Sequence, residues 1–84
     1  MYKISITHRA EKDLKKLDRN AKNRIVTTIM SLTAEPRPVG CRKILSEEGV
    51  WRIRIGDWRV GYKVNDKTFQ ITIIRIGHRK EFYS

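Results

Sequence analysis

Residues Val50 to Val64 read Val-Trp-Arg-Ile-Arg-Ile-Gly-Asp-Trp-Arg-Val-Gly-Tyr-Lys-Val. Two alternating runs flank Gly56-Asp57, and glycine at the first central position of a two-residue loop suits a type II′ hairpin turn. Such a turn sets the register. Ile55 is expected to face Trp58, Arg54 to face Arg59, Ile53 to face Val60, Arg52 to face Gly61, and Trp51 to face Tyr62. Because strand side chains alternate, one face holds Trp51, Ile53, Ile55, Trp58, Val60 and Tyr62. The other holds Arg52, Arg54, Arg59 and Lys63, with Gly61 among them. Like charges directly opposed on a sheet cost roughly 0.2–1 kcal/mol per pair. No Asp or Glu of the hairpin shares the arginine face, so that face is either well solvated or waiting for an anion. Glycine inside a strand marks the close approach of a ligand or another backbone, a bulge, or a barrel-like bend.

Upstream, Tyr2-Lys3-Ile4-Ser5-Ile6-Thr7 alternates as a first strand, and the Thr7 hydroxyl can cap a following helix. Ala10, Leu14 and Leu17 then recur at helical spacing, and Asp18 and Asn20 mark a break or a short turn. From Ala21, the residues Ala21, Ile25, Ile29 and Leu32 share one helical face, with Val26 and Met30 beside it. Lys12, Lys15, Lys16 and Lys22 are read as solvated charge. Pro36 and Pro38 end the second helix. Arg42 to Leu45 is expected to be a short extended segment, followed by a turn at Ser46-Glu47-Glu48-Gly49. Beyond the hairpin, Asn65-Asp66-Lys67 makes another turn and Thr68 to Ile76 a long β-branched strand. The order implies an α+β fold. A small antiparallel sheet in β-α-α-β-β-β order carries two N-terminal helices on one face and the arginines on the other.

At 84 residues the chain is expected to be a single domain over 1–84. A chain of that size offers a surface groove more readily than a large internal cavity. The formal net charge is +10, from 19 Lys and Arg against 9 Asp and Glu. Such a balance is the footprint of a protein that meets a polyanion. The single cysteine, Cys41, excludes an internal disulfide framework and a cysteine-rich zinc site, and either fits a reducing cytoplasm or is neutral on the question. No apolar run approaches a membrane span or a signal core.

Three stretches, in this order and at this length, resemble the RelE/ParE toxin superfamily of bacterial toxin–antitoxin modules, and its RelE branch most. They are Asp13-Leu14-Lys15-Lys16-Leu17; Trp51-Arg52-Ile53-Arg54 with Trp58-Arg59-Val60-Gly61-Tyr62; and Ile76-Gly77-His78-Arg79-Lys80-Glu81-Phe82-Tyr83. The resemblance implies a metal-independent, cofactor-free endoribonuclease that cuts messenger RNA in the ribosomal A site and is neutralised by a cognate antitoxin. The ribose 2′-hydroxyl would be the nucleophile, leaving a cyclic phosphate and a free 5′-hydroxyl. It matches two basic positions to Arg52 and Arg54, an arginine early in the next strand to Arg59, one after the last strand to Arg79, and a nearby tyrosine to Tyr83.

These residue types suit the reaction. In-line attack builds negative charge on the non-bridging phosphate oxygens, and fixed guanidinium groups stabilise it. Arg59, Arg79 and Arg54 are the candidates for that role, and Arg52, Arg54, Lys63, His78 and Lys80 for RNA binding. Tyr83 is the candidate for proton transfer or base stacking, with His78 as a second proton carrier. Trp51, Trp58 and Tyr62 read as core, and His8 has no assigned role. The superfamily's familiar pattern has lysines where this chain has Arg52 and Arg54. Arginine keeps the charge and the bidentate grip but is a poor proton shuttle. Two other functions fit the same fold: a ParE-like inhibitor of DNA gyrase, and a nucleic-acid- or antitoxin-binding module without catalysis.

Overall fold

A computed structural model describes residues 1–83. Its elements are β1 (Lys3–Ile6), α1 (His8–Lys15), α2 (Arg19–Ser31), β2 (Arg42–Lys43), β3 (Trp51–Ile55), β4 (Trp58–Asn65) and β5 (Gln70–His78). They form a five-stranded sheet in the order β1-β5-β4-β3-β2. The β3–β4 hairpin has the register read from its turn, pair for pair, from Ile55–Trp58 to Trp51–Tyr62. Gly56 takes a φ of +60° while Asp57 does not enter the left-handed region, as a type II′ turn requires.

The α+β order is as expected, and the strands β2 to β5 run antiparallel. The difference lies at β1, which pairs with β5 in parallel, Ile4 against Ile71 and Ile6 against Ile73. The sheet is therefore mixed. The hairpin turns set the direction of β3, β4 and β5. β1 is joined to the rest only through two helices, so no local turn chemistry dictates its direction.

Each helix starts on a side-chain cap. The Thr7 hydroxyl accepts from the Ala10 amide at 3.1 Å and donates to the Ile74 carbonyl at 2.8 Å, so one residue both starts α1 and pins it to β5. Asp18 accepts from the Ala21 amide at 2.8 Å. The break expected at Asp18 is thus the N-cap of α2, which begins at Arg19. β1 covers only the first part of β5; beyond it, Asp13 of α1 accepts the Ile76 amide at 2.9 Å and satisfies the exposed strand edge. The helices bury Ala10, Leu14, Ile25, Ile29 and Leu32 against Ile53, Ile55, Val60, Tyr62, Ile71, Ile73 and Ile76. Val26 and Met30 stay exposed, outside this stripe.

The opposite face of the sheet has a small core of its own. Ile44 and Val50, on either side of the β2–β3 loop, pack with Phe82 and Ile74. A bulge in the β4–β5 pairing frees Ile74: Gly61 faces Arg75 and Tyr62 faces Ile73, with Ile74 left between. The chain after β5 folds back so that Phe82 covers Gly61 and Gly77. A Cβ on Gly61 would stand 3.0 Å from Phe82 Cζ, and one on Gly77 3.4 Å from Phe82 Cα. Both the bulge and the close approach that a glycine in this strand suggests are present; the approaching group is the chain's own phenylalanine.

Arg75 locks this arrangement. Its guanidinium lies 4.4 Å from the Phe82 ring centroid and donates through Nε to the Phe82 carbonyl at 3.1 Å. It also makes a two-pronged pair with Glu47 of the β2–β3 loop at 2.6 and 2.7 Å. The hydrogen bonds from Arg75 hold the Glu47 carboxyl below its ordinary pKa.

Two predictions follow from this second core. Gly61→Ala forces Phe82 off the sheet and is expected to cost about 1–3 kcal/mol in urea unfolding, the usual scale of overpacking. A free energy equal to that of the native chain would show that Phe82 yields without loss. Because the folded pKa of Glu47 is lowered, its stabilising effect is complete above the unfolded carboxyl value of about 4.3 and fades as pH falls through the lower folded value. Unfolding free energies at pH 7, 4 and 3 are expected to show the native chain's advantage over Glu47→Gln shrinking in acid. A constant difference would contradict this.

Candidate functional site

The face opposite the helices presents two rows of residues across the strands. Arg42, Arg52, Gly61 and Arg75 stand in register across β2, β3, β4 and β5. Arg54, Arg59 and Gly77 form the next row toward the turn. The alternation of β3 and β4 puts every one of these arginines on the same side, because the apolar residues between them are claimed by the core.

Arg59 is the centre of the group. Its Nη1 donates to the carbonyls of Gly56 and Trp58, each at 3.0 Å, which ties the side chain to the turn. Its pKa lies below the ordinary arginine value, first through burial, then through the charges of Arg54 and Arg52. Arg79 acts in the same direction, and Tyr83 opposes it. Arg52, Arg54, Arg59, Arg79 and Tyr83 therefore share one electrostatic neighbourhood, although they come from two strands and the C-terminal segment. Arg79 is anchored by its backbone amide, which donates to the Asp57 carbonyl at 2.7 Å; its Nε stands 3.8 Å from an Asp57 carboxylate oxygen in an exposed, loose pair. Tyr83 is 58% exposed and its ring meets that of Phe82 edge-on at 4.9 Å. Phe82 thus fixes the segment that carries both Arg79 and Tyr83.

His78 does not join this group. It pairs with Trp58 across the sheet, on the helix-facing side, with the two rings edge-on at 5.6 Å. There it lines a cleft of about 290 Å³ beside Arg9, Asp13, Lys16 and Leu17 of the helical layer. Its Nδ1 accepts the Lys80 amide at 3.3 Å, and Lys80 is exposed on the tail. Lys63 points to the arginine side but lies further along β4, where it lines a separate hollow with Asn65, Asp66 and Lys67. Trp51 and Trp58 are half-buried against the main core, and Tyr62 is fully buried with its hydroxyl donating to the Pro36 carbonyl at 2.8 Å. Trp51 also carries two cations, Arg37 at 5.2 Å and Lys43 at 5.5 Å from its ring centroid.

Sequence reasoning missed Arg42, Arg75, Glu47 and Phe82. Arg42 had a signal: it begins a short extended segment that joins the hairpin edge. The Glu47–Arg75 pair had none, since nothing local brings a loop across the sheet to a strand 28 residues later. Among the described residues no group of three or more His, Cys, Asp or Glu gathers as a metal site. No described helix is long and apolar enough to cross a membrane.

The family model for the ParE toxin of the type II toxin–antitoxin system parDE matches residues 4–83. The chain belongs to that toxin family. The toxin's fold is shared with solved RelE-type structures. It is 28% identical to a chain of the archaeal RelE–RelB complex from Pyrococcus horikoshii, with a TM-score of 0.82 over 95% of this chain and 97% of that one. It is 27% identical to a chain of the RelBE2 toxin–antitoxin complex from Mycobacterium tuberculosis, with a TM-score of 0.81 over 93% and 98%. A YoeB/ParE toxin from Agrobacterium tumefaciens shares the fold alone, at 18% identity and a TM-score of 0.76 over 90% and 96%. No curated protein matches the chain.

The toxin holds Arg54 directly against Arg59, at a cost to the sheet. Replacing Arg54 by threonine is expected to stabilise the fold by about 0.2–1 kcal/mol at low ionic strength, with the gain shrinking at 1 M salt as screening removes the repulsion. Thermal melts of the two chains at both salt concentrations measure it. A destabilised variant at low salt would mean that the pair is not in conflict.

Proposed function

We propose that this toxin is a ribosome-dependent endoribonuclease that cleaves messenger RNA in the ribosomal A site and so arrests translation. The observation that carries the reading is the gathering of Arg52, Arg54, Arg59 and Arg79, with Tyr83, around one stretch of the sheet. Such a cradle suits a phosphodiester whose oxygens gain charge during attack. The ribose 2′-hydroxyl attacks the adjacent phosphorus and gives up its proton. The bond to the 5′-oxygen breaks, and that oxygen takes a proton. The products are a 2′,3′-cyclic phosphate and a 5′-hydroxyl, and no water or redox partner is consumed.

In this reading Arg59 and Arg79 hold the non-bridging oxygens, Arg54 adds to their charge, and Arg52 and Arg54 grip the backbone. Guanidinium groups stay protonated in proteins, so the arginines stabilise charge and do not carry the proton. That role falls to Tyr83. It is assigned there in preference to His78, whose ring faces the helical layer beside Trp58. No cofactor is needed. Lys63 and Lys80 contribute to the positive field that draws RNA in. The natural counterpart is a cognate antitoxin, as in the RelBE complexes that share this fold, and the setting is the cytoplasm, where ribosomes are.

A second reading is favoured by the ParE description of the matching family: the toxin acts by binding DNA gyrase and carries out no chemistry. Expression in growing bacteria followed by 5′-end mapping separates the two. The first reading expects codon-spaced cuts in translated messages, intact purified RNA without ribosomes, and a drop of about 10²–10³-fold in cleavage for Arg59→Ala, the scale for losing one oxyanion donor. Intact translated messages together with broken DNA would overturn it in favour of the gyrase reading.

A further inference from the structure

Arg52 is the only buried charged residue among those described, with 7% of its surface exposed. It makes no ion pair and no side-chain hydrogen bond among the described residues. Burying a charge without a partner is costly. Arg75, in the same row, shows how the fold normally meets that cost: it is held by both oxygens of Glu47 and stacked on Phe82. Arg52 is left without an equivalent. Among the described residues no fully buried side-chain nitrogen lacks a partner, so the Arg52 nitrogens keep some contact with solvent. Arg52 is one of the residues lining a hollow of about 280 Å³.

The walls of this hollow are Val39 and Gly40 from the segment after α2, Arg42 from β2, and Arg52, Ile53 and Arg54 from β3. Three guanidinium-bearing residues and no acid line it. Arg42 stands directly across from Arg52 in the strand pairing. Arg59 and Arg79, which the proposed cleavage places on the scissile phosphate, are not among the lining residues. The hollow adjoins that site through Arg54 and Arg52 but is not the same site.

We propose that this hollow seats a second phosphate of the RNA backbone, neighbouring the scissile one, and that Arg42 is a substrate-binding residue there. The inference rests on the reading of the arginine face as an RNA cradle. The RNA strand then crosses the sheet from the β3–β4 turn toward the β2 edge. Arg52 gains its missing counter-charge from the substrate, and Arg42 closes the phosphate from the opposite wall with a bidentate grip. Free inorganic phosphate offers the same oxygens, so the test must separate the two.

Fluorescence anisotropy of a labelled hexauridylate, titrated with the whole toxin over a potassium chloride series, provides that test. Each phosphate contact on a single strand contributes about 0.7 to the slope of log K against log salt. Arg42→Ala is expected to lower the slope by about 0.7 and to weaken binding several-fold at low salt, and Arg42→Lys to restore most of the slope. Circular dichroism checks that the exposed edge-strand variant is folded. Inorganic phosphate, at matched ionic strength, is expected to displace the RNA from the native toxin more effectively than from Arg42→Ala. If Arg42→Ala has the native slope and affinity, the second phosphate site is wrong, while cleavage of translated messages can still stand. If the Arg42-dependent slope appears but translated messages remain intact, the site stands and the nuclease reading falls. Tight phosphate binding without any Arg42-dependent RNA contact would mean a free-anion site and would also overturn the proposal.

Discussion

The two-residue turn at Gly56-Asp57 is the constraint on which the rest depends. It sets the pairing of β3 with β4, and the pairing sorts side chains by parity. A slip of one residue would send Ile53, Ile55 and Val60 to water and the arginines into the helical core. The loss of apolar burial alone, at about 25 cal/mol for each Å², forbids that slip. The positions of Arg52, Arg54 and Arg59 are therefore secured by apolar residues buried in the core. Arg79 is brought to the same place by a different device: its amide is tied to the Asp57 carbonyl of that same turn. One tight turn thus organises the hairpin arginines and tethers Arg79 from beyond β5.

Concentrating like charge on one face conflicts with stability, and the fold resolves the conflict unequally. Arg75 is neutralised internally by Glu47 and serves packing, because its stacking on Phe82 holds the C-terminal segment down. Arg59 is restrained by two backbone carbonyls, which orient it without cancelling its charge. Arg54 and Arg52 receive no carboxylate among the described residues. This gradient separates structure from function more sharply than position does. Arg75, in a tight two-pronged pair with Glu47, holds the fold, whereas Arg52, Arg54 and Arg59 have no acid partner among the described residues and Arg79 has only a loose, exposed one in Asp57. On the proposed reading, an RNA phosphate would relieve the repulsion they store, so part of the binding energy would come from strain that folding left in place.

The hairpin, its register, the two helical stripes and the Thr7 cap were legible in the sequence, because each is encoded within a few residues by periodicity or by a turn; Asp18 read only as an interruption. Arg52, Arg54 and Arg59 followed from parity alone. The parallel direction of β1, the second small core and the Glu47–Arg75 pair were not legible. All three depend on contacts between segments far apart in the chain, and no local pattern distinguishes them. Phe82 shows the limit well. In sequence it is an apolar residue in a short polar tail; only the empty space above Gly61 and Gly77 makes it the anchor of that tail. His78 shows the converse. Its neighbours in sequence suggest a cationic site, but parity at the end of β5 turns it toward Trp58.

The choice of arginine over lysine at positions 52 and 54 also bears on what kind of catalyst such a site would be. A lysine amine can be tuned by burial to take or give a proton near neutrality, whereas a guanidinium cannot. Burial and neighbouring cations lower the Arg59 pKa, yet a guanidinium's ordinary value is so high that the group remains charged at physiological pH. A cradle made of arginine therefore contributes through fixed positive charge and geometry, with its donors already oriented before the phosphate arrives. On the proposed reading this places the rate advantage in electrostatic preorganisation, and it leaves proton movement to the phenol of Tyr83 and to groups on the ribosome or the RNA itself. It also explains why so much of the fold is spent on holding the C-terminal segment. On that same proposal the arginines carry no proton, and the position of Tyr83, held through Phe82 and Arg75, is what the acid–base step would depend on.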